Sequence, residues 1–396
     1  MIYFDNAATT GIKPKSVTNA VNRALNEFSV NPGRGGYDRS NKCSEEIYKC
    51  RSKISEMFNA GAPERVIFTP NCTTSLNIVI NGVCRSGDRV VASSLEHNAV
   101  ARPLYKCQSN GVDVDFAEVI FGDSQATFRS FERLVTQDTR LVVCTHASNV
   151  TGEILPIERI GQLCAEKGVP FLVDAAQTAG VIPIDMKEMK IDYLCIAPHK
   201  GLYAPMGTGI LIALGEIPET FVTGGTGSMS VSYEQPKEYP DRFESGTVNV
   251  PGIFGLSAGI DFVNREGIDN IYRKEMNLMG YIYDGLNNID GVVLYTKRPK
   301  AFEFVPTLSF NIRGLDSNET ASLLNNDGIS VRAGLHCAPM AHKRLGTIDI
   351  GTVRICCSTF NSRFEADRLL MSVKNIVNSL KNTKKAIDYR HRFMLK

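Results

Sequence analysis

Short apolar runs alternate with amphipathic stretches along the first 250 residues. Runs rich in branched side chains predict strands at Val66–Thr69, Arg89–Ser93, Leu141–Thr145, Phe171–Val173, Tyr193–Ala197 and Gly209–Leu214. A helical period of apolar positions predicts helices at 15–28, 41–58, Thr73–Val83, Val100–Ser109 and Ile157–Lys167. Alternation of this kind is typical of an α/β layer built on a largely parallel sheet.

Beyond residue 250 the pattern changes to longer helices and fewer, separated strands. Helices are predicted at about 251–265, 267–287 and 362–380, and strands at Val292–Tyr295, Thr307–Ile312, Ile329–Arg332 and Val353–Cys357. This pattern favours a second, smaller α+β domain, to which we expect the N-terminal strand to return. The predicted boundaries are 15–250 for the large domain, and 1–14 with 251–396 for the small one.

Composition excludes several classes of protein. Of the 396 residues, 43% are hydrophobic and 22% are charged, which is typical of a globular chain. The net charge of +2 argues against a broad nucleic-acid surface. We find neither a secretory signal pattern nor a stretch of transmembrane length, so we expect no membrane association and a cytoplasmic location.

Cysteine usage points away from disulfides and metals. The eleven cysteines are scattered and include no CxxC pair, so neither a disulfide framework nor a zinc site is expected, and no metal is predicted. Most should be small buried hydrophobes. Cys337 is the exception, because it lies in a polar, glycine-containing segment, Arg332–Ala338.

Four polar residues follow apolar runs, namely His97, Asn149, Asp174 and Lys200. Ligands of open α/β sheets bind at the carboxyl ends of strands, so we expect these residues to share one site. A lysine that can form an imine and an aspartate that can pair with a pyridinium nitrogen suit pyridoxal phosphate chemistry. Each residue also has an ordinary reading, as a surface lysine, a helix cap or a turn residue.

Several ordered motifs resemble those of one family. They are Tyr3–Thr10, Leu95–Ala99, Asp174–Gln177, His199-Lys200, Glu244–Thr247, Arg332–Ala338 and the strand bearing Arg354. The chain resembles the class V aminotransferase-fold pyridoxal phosphate enzymes and, among them, the SufS-type cysteine desulfurases. The resemblance implies fold type I, a large domain that binds pyridoxal 5'-phosphate, and a small C-terminal domain that carries the active-site cysteine loop.

The resemblance also implies roles for residues around the cofactor. Lys200 would carry the cofactor as an imine and move the Cα proton, and Asp174 would face the pyridine nitrogen. His97 would stack on the ring and relay protons, while Gln177 and Asn149 would lie near the ring hydroxyl. The phosphate would be held by Cys72, Thr73, Thr74, His199 and, from the other subunit of a homodimer with composite active sites, Thr247.

Substrate roles follow from the same resemblance. Arg354 would clamp the substrate carboxylate with its planar guanidinium. The mouth of the site would be lined by Asn6, Ala7, Ala8, Asn149 and His336. Cys337 would be the nucleophile, with His336, Arg332 or the cofactor lowering the pKa of its thiol. The products would be L-alanine and a persulfide on Cys337, which the family passes to a sulfur-acceptor protein.

The chain departs from the family pattern at a few positions. Ala197 and Pro198 stand where a hydroxyl residue and a small residue are usual, and Thr74 stands where a glutamate is frequent. We therefore expect somewhat looser phosphate binding. Leu335 replaces a second histidine of the cysteine loop, which weakens the case for proton relay there.

Alternative functions remain open at this stage. Another C–S lyase or an aminotransferase of the same fold would use the same lysine and leave Cys337 without a role. A selenocysteine lyase acting on L-selenocysteine is a closer variant, and a non-enzymatic scaffold is the third reading. The sequence leaves the acceptor and the pathway open, whether iron–sulfur cluster assembly, tRNA thiolation or selenium supply.

Overall fold

The computed structural model describes residues 1–33 and 35–394, with side chains through residue 382. The helices are α1 Lys15–Glu27, α2 Asp38–Met57, α3 Cys72–Val83, α4 Asn98–Ser109, α5 Ser124–Leu134, α6 Ile157–Lys167, α7 Val250–Glu266, α8 Ile268–Asn287, α9 Ser317–Asn326, α10 Pro339–Leu345 and α11 Arg363–Met394. The strands are β1 Ile2–Tyr3, β2 Val66–Thr69, β3 Arg89–Ser93, β4 Asp113–Ala117, β5 Thr139–Thr145, β6 Phe171–Asp174, β7 Tyr193–Ile196, β8 Gly209–Ala213, β9 Val292–Leu294, β10 Thr307–Ile312, β11 Ile329–Ser330, β12 Arg332–Gly334 and β13 Thr352–Cys356.

The larger of two compact units comprises residues 12–148 and 153–271. It is built on a seven-stranded sheet in the order β2-β8-β7-β6-β5-β3-β4. Strands β3 to β7 run parallel, whereas β8 runs antiparallel to both of its neighbours. The predicted α/β layer with a mostly parallel sheet is therefore confirmed.

Burial explains which strands the sequence revealed. The strands β2, β6, β7 and β8 are buried along their whole length, as expected for a sheet covered on both faces. The edge strand β4, in contrast, mixes exposed, half-buried and buried residues in the sequence Asp-Val-Asp-Phe-Ala. It was not predicted, because its two aspartates interrupt the apolar run.

The smaller unit comprises residues 1–11, 149–152 and 272–396. Its four-stranded sheet has the order β12-β13-β10-β9 and is antiparallel throughout. The first strand, β1, pairs in parallel with β11, so the expected return of the N-terminal strand is confirmed. The core of this unit joins both sheets to α8 and α11 through residues such as Phe4, Phe310 and Leu369.

Element boundaries differ from the prediction at several places. Helix α2 begins at Asp38 instead of residue 41, and α11 extends well beyond residue 380. Helices α5, α9 and α10 were not predicted. The predicted domain boundaries lie at 14/15 and 250/251. They stay a prediction and are separate from the two compact units described above.

In the described part of the chain, no helix is both long and apolar enough to cross a membrane.

Candidate active site

Asp174 and Lys200 lie at the same edge of the large unit's sheet. Asp174 is the last residue of β6, and β7, which pairs with β6 in parallel, leads directly into the turn that carries Lys200. That turn is closed by the Lys200 amide, which donates to the Ala197 carbonyl at 3.1 Å. The parallel register therefore places the predicted amine and the predicted carboxylate near each other.

The Asp174 carboxylate is almost fully buried, with 4% of the residue exposed. Burial raises the pKa of its carboxyl, and the Ala176 amide, which donates at 2.9 Å, and the positive charge of Lys200 partly offset that rise. The Cys72 thiol also contacts it, 3.8 Å from Oδ1. A buried carboxylate with few donors around it is suited to accept a proton or a hydrogen bond from a cationic ring nitrogen.

The start of α3 lies close to Asp174, through Cys72. Asn71 caps the helix, and its side chain accepts from the Thr74 amide at 2.9 Å and from the Thr74 hydroxyl at 3.2 Å. The first amides of a helix have no partner within the helix and favour an anion. The Thr74 hydroxyl is therefore already bonded to the Asn71 side chain. That Cys72, Thr73 and Thr74 bind a phosphate stays a prediction.

His97 has a defined ring orientation, and His199 has a neutral ring. His97 caps α4, and its Nδ1 accepts from the Ala99 amide at 3.0 Å, which leaves the ring proton on Nε2. Burial lowers the pKa of His199 to about 4, with further lowering by Lys200 and Lys13, so its ring is neutral at pH 7. A neutral imidazole can still donate one hydrogen bond to a phosphate.

Gln177 follows Asp174 in the turn after β6.

Lys13 was not among the predicted site residues. Its ammonium donates to the carbonyl of His199, the residue before Lys200, at 2.8 Å. Burial lowers the pKa of Lys13 to about 8. No periodic pattern pointed to this lysine, because it lies in the loop before α1, far from Lys200 in sequence.

Glu96 is a second residue that sequence reasoning missed. It is completely buried, accepts from the Thr145 amide at 2.7 Å and from the Ser93 hydroxyl, and so ties the end of β3 to the end of β5. Burial raises the pKa of its carboxyl to about 8. The side chain next to His97 is therefore a neutral acid at pH 7.

This carboxyl gives the fold a pH dependence. The folded-state pKa of about 8 exceeds the ordinary value of 4.5, so the unfolded chain releases this proton first as the pH rises. We expect the contribution of Glu96 to stability to be complete below pH 4.5 and to be lost progressively as the pH rises through about 8.

The Glu96→Gln variant should lack this contribution to the pH dependence, since an amide does not titrate. Urea unfolding midpoints between about pH 5 and about pH 8 measure the difference. Glu216→Gln, at a side chain that is 75% exposed, is the matched control. Parallel pH profiles for the parent and Glu96→Gln would contradict the assignment.

Thr247 lies in a segment that a buried ion pair fixes. Arg51 Nη2 contacts Glu244 Oε2 at 2.6 Å, with 8% of each side chain exposed, and Glu244 Oε1 accepts from the Phe68 amide at 2.6 Å. Thr247 and Thr74 line one cavity of about 310 Å³ in this unit. The predicted contact of Thr247 with a phosphate of the other subunit stays a prediction.

Arg354 is the central charge of the small unit. Only 3% of the residue is exposed; its Nη2 donates to Asp5 Oδ1 at 2.9 Å and its Nη1 donates to the Asn149 carbonyl at 3.1 Å. Its buried Nε has no hydrogen-bond partner within the described chain. Arg332 approaches the same Asp5 at 4.0 Å. The guanidinium is therefore held in place by internal partners through Nη1 and Nη2, and Nε is left without one among the described residues.

The cysteine loop, Arg332–Ala338, carries the exposed thiol of Cys337. The other ten cysteines are buried. His336 and Cys337 both adopt left-handed backbone conformations, with φ of 50° and 56°. The loop therefore presents one thiol to solvent on a backbone that side-chain-bearing residues rarely adopt.

The His336 ring points inward and is neutral. Its Nε2 lies 3.0 Å from the Thr352 carbonyl, and burial together with the charge of Arg354 lowers the pKa of the ring to about 2. The ring is neutral at physiological pH, so it places no positive charge beside Cys337. That His336, Arg332 or the cofactor activates the Cys337 thiol stays a prediction.

Asn6 and Ala7 are buried at the start of the chain, while Ala8 is half-buried. The Asn6 amide donates to the Cys356 carbonyl at 2.9 Å, and its oxygen accepts from the Gly11 amide at 3.1 Å. These contacts fasten the N-terminal segment to β13. That Asn6, Ala7 and Ala8 line the mouth of the substrate site stays a prediction.

Among the described residues, no group of three or more His, Cys, Asp or Glu side chains could hold a metal ion.

Comparison with known proteins identifies the family. The model of the class V aminotransferases matches residues 2–369. A probable cysteine desulfurase of Methanothermobacter thermautotrophicus is 33% identical over 95% of this chain and 94% of its own. The cysteine desulfurase structure from Thermococcus onnurineus NA1 superposes with a TM-score of 0.87 at 31% identity, covering 96% of this chain and 95% of that one. One from Escherichia coli gives 0.85 at 26%, covering 95% and 94%.

The chain belongs to the class V aminotransferase family, and these relatives bear the name cysteine desulfurase. The predicted fold type I and the predicted class, an enzyme that depends on pyridoxal phosphate, are thereby confirmed. The roles of individual residues are a separate matter and are proposed below.

Proposed function

We propose that this chain is a cysteine desulfurase that converts L-cysteine into L-alanine and keeps the sulfur as a persulfide on Cys337. The observation that carries the proposal is the exposed thiol of Cys337, in the same unit as the buried, oriented guanidinium of Arg354. A nucleophile and a carboxylate-binding group are what desulfuration of an amino acid requires of the protein. The names and the full-length similarity of the relatives support the same activity.

The large unit offers a fitting set of residues for pyridoxal phosphate. Asp174 is a buried carboxylate at a strand end, Lys200 lies at the same edge, and the first amides of α3, ahead of the Thr74 amide that Asn71 caps, suit a phosphate. When bound, the cofactor supplies an aldehyde for an amine link and a ring that withdraws electrons from Cα. Asp174 would keep the ring nitrogen protonated, and His97 and His199 would add contacts to the ring and the phosphate.

Each remaining step belongs to side chains of this protein. Arg354 binds the substrate carboxylate and fixes the orientation of the amino acid. The Lys200 amine removes the Cα proton and later returns a proton. The Cys337 thiolate attacks the substrate sulfur, the Cβ–S bond breaks, and Cβ receives a proton. One cysteine and one protein thiol thus become one alanine and one protein persulfide.

We also propose a homodimer and a sulfur-accepting partner. The segment before Thr247 exposes apolar side chains, and Val231 and Tyr233 are fully exposed. Apolar groups of this kind favour coverage by another protein surface, and a second copy would bring Thr247 to a neighbouring site. The exposure of Cys337 suits transfer of the sulfur to an acceptor protein.

Mass spectrometry tests the proposed function directly. After incubation with L-cysteine, we expect the peptide that contains Cys337 to gain one sulfur atom, with alanine released in equal amount. Pyruvate in place of alanine would identify a β-eliminating lyase and overturn the proposal. Turnover of L-selenocysteine without turnover of L-cysteine would identify a selenocysteine lyase.

The missing hydroxyl at Ala197 provides a prediction about the cofactor. Ala197 is 5% exposed, and its carbonyl closes the turn to Lys200. We expect Ala197→Ser to lower the dissociation constant for pyridoxal phosphate about tenfold, because a hydrogen bond to a charged group contributes roughly 1.5 kcal/mol or more. Titration by absorbance measures the change.

The control for this prediction is Ala213→Ser, which adds the same hydroxyl to a buried alanine at the end of β8. An unchanged cofactor affinity in Ala197→Ser would mean that position 197 does not face the phosphate.

A further inference from the structure

The amide of Asn149 holds the cysteine loop. Its Nδ2 donates to the carbonyl of His336, the residue before Cys337, at 2.7 Å. Asn149 is itself buried, with 8% exposed, and packs in the small unit together with the loop. The bond spans 187 positions of sequence, so it fixes the loop to a part of the chain that is remote in sequence.

The conformation of the loop needs such a hold. Two consecutive residues, His336 and Cys337, lie in the left-handed region without being glycine. Residues with side chains persist there only where surrounding contacts enforce the conformation. The His336 ring provides one anchor through Thr352, and the Asn149 amide provides another on the backbone itself.

Asn149 is in turn held by the ion pair of Arg354 and Asp5. Its carbonyl accepts from Arg354 Nη1 at 3.1 Å, and Arg354 Nη2 contacts Asp5 at 2.9 Å. A chain of hydrogen bonds therefore runs from Asp5 through Arg354 and Asn149 to the residue before the thiol. The guanidinium assigned to the substrate carboxylate is thereby linked to the backbone of the cysteine loop.

We propose that Asn149 is a positioning residue for Cys337, and that it fixes the reactive thiol by clamping the His336 carbonyl. The proposal rests on the proposed desulfurase function for its kinetic consequence, but the clamp itself is a property of the small unit. It adds a second role to the predicted contact of Asn149 with the cofactor. The two roles predict different results.

Hydrogen–deuterium exchange of the cofactor-free protein tests the clamp. In Asn149→Asp, which keeps the shape but loses the donor, we expect the amides of the cysteine loop to exchange about tenfold faster than in the parent. Asn149→Ala should behave alike, so that a folding defect in one variant does not decide the result. The matched control is Asn311→Asp, which removes a buried amide donor to the Gly351 carbonyl in the same unit and should leave loop exchange unchanged.

A comparison of two substrates tests the consequence. L-cysteine requires attack by Cys337, whereas β-chloro-L-alanine loses chloride without it. We expect Asn149→Asp to lower kcat for L-cysteine at least tenfold more than kcat for β-chloro-L-alanine. An equal loss on both substrates with unchanged loop exchange would overturn the proposal and leave a cofactor contact alone. If the parent fails to desulfurate L-cysteine, the proposed function falls, while the exchange experiment still decides the clamp.

Discussion

Lys200→Ala should abolish turnover of L-cysteine, with kcat at least about 10⁴-fold below the parent. A positioned general acid–base alone contributes about 10²- to 10⁴-fold, and this variant also loses the amine that we propose links the cofactor. Borohydride reduction followed by peptide mapping should find the cofactor on Lys200 in the parent and nowhere in the variant. Absorbance of the covalent link should disappear together with activity.

Two further variants separate the possible causes. Lys200→Arg keeps a positive charge near Asp174 but cannot form the link, so it should be as inactive as Lys200→Ala. Lys167→Ala removes an exposed lysine at the end of α6 and should behave like the parent. Substantial activity in Lys200→Arg would show that charge, and not the covalent link, is what position 200 provides.

Cys337→Ala should retain the bound cofactor and lose the persulfide. We expect desulfuration of L-cysteine to fall by about 10³-fold or more, because the sulfur acceptor is absent while binding and proton transfer remain. Sulfide, alanine and the mass of the loop peptide are the measurements. L-selenocysteine should retain more turnover, since selenium leaves carbon more readily.

The comparison thiol is Cys84, a buried cysteine at the end of α3. Cys84→Ala should form the persulfide at position 337 as the parent does. If Cys337→Ala formed alanine at the parent rate, the nucleophile would have to be another group. The main support for the desulfurase assignment would then be lost.

The parts of the fold that sequence could predict are those with a strong local signal. Continuous apolar runs predicted β6 and β7, which are buried along their whole length, as is typical of a sheet covered on both faces. Because parallel strands end at one edge, those runs also predicted that Asp174 and Lys200 lie close together. Helix α9 carries a capping box between Asp316 and Glu319, a signal in the sequence that could have located it.

The parts that could not be predicted depend on contacts between distant positions. Arg354 pairs with Asp5 across 349 positions, and no spacing rule connects them. Asn149 follows a strand of the large unit in sequence, yet it packs with the small unit and bonds to the cysteine loop. The strand-end position predicted that Asn149 belongs to a shared site, and the family resemblance implied a cofactor contact, but neither pointed to the cysteine loop.

Burial of ten of the eleven cysteines has a practical consequence. Stoichiometric maleimide or iodoacetamide labelling of the unmodified chain should mark a single position, and a spectroscopic reporter could be attached there without first engineering the remaining sulfurs away. The native protein thus already provides a single labelling site for following how the proposed acceptor docks.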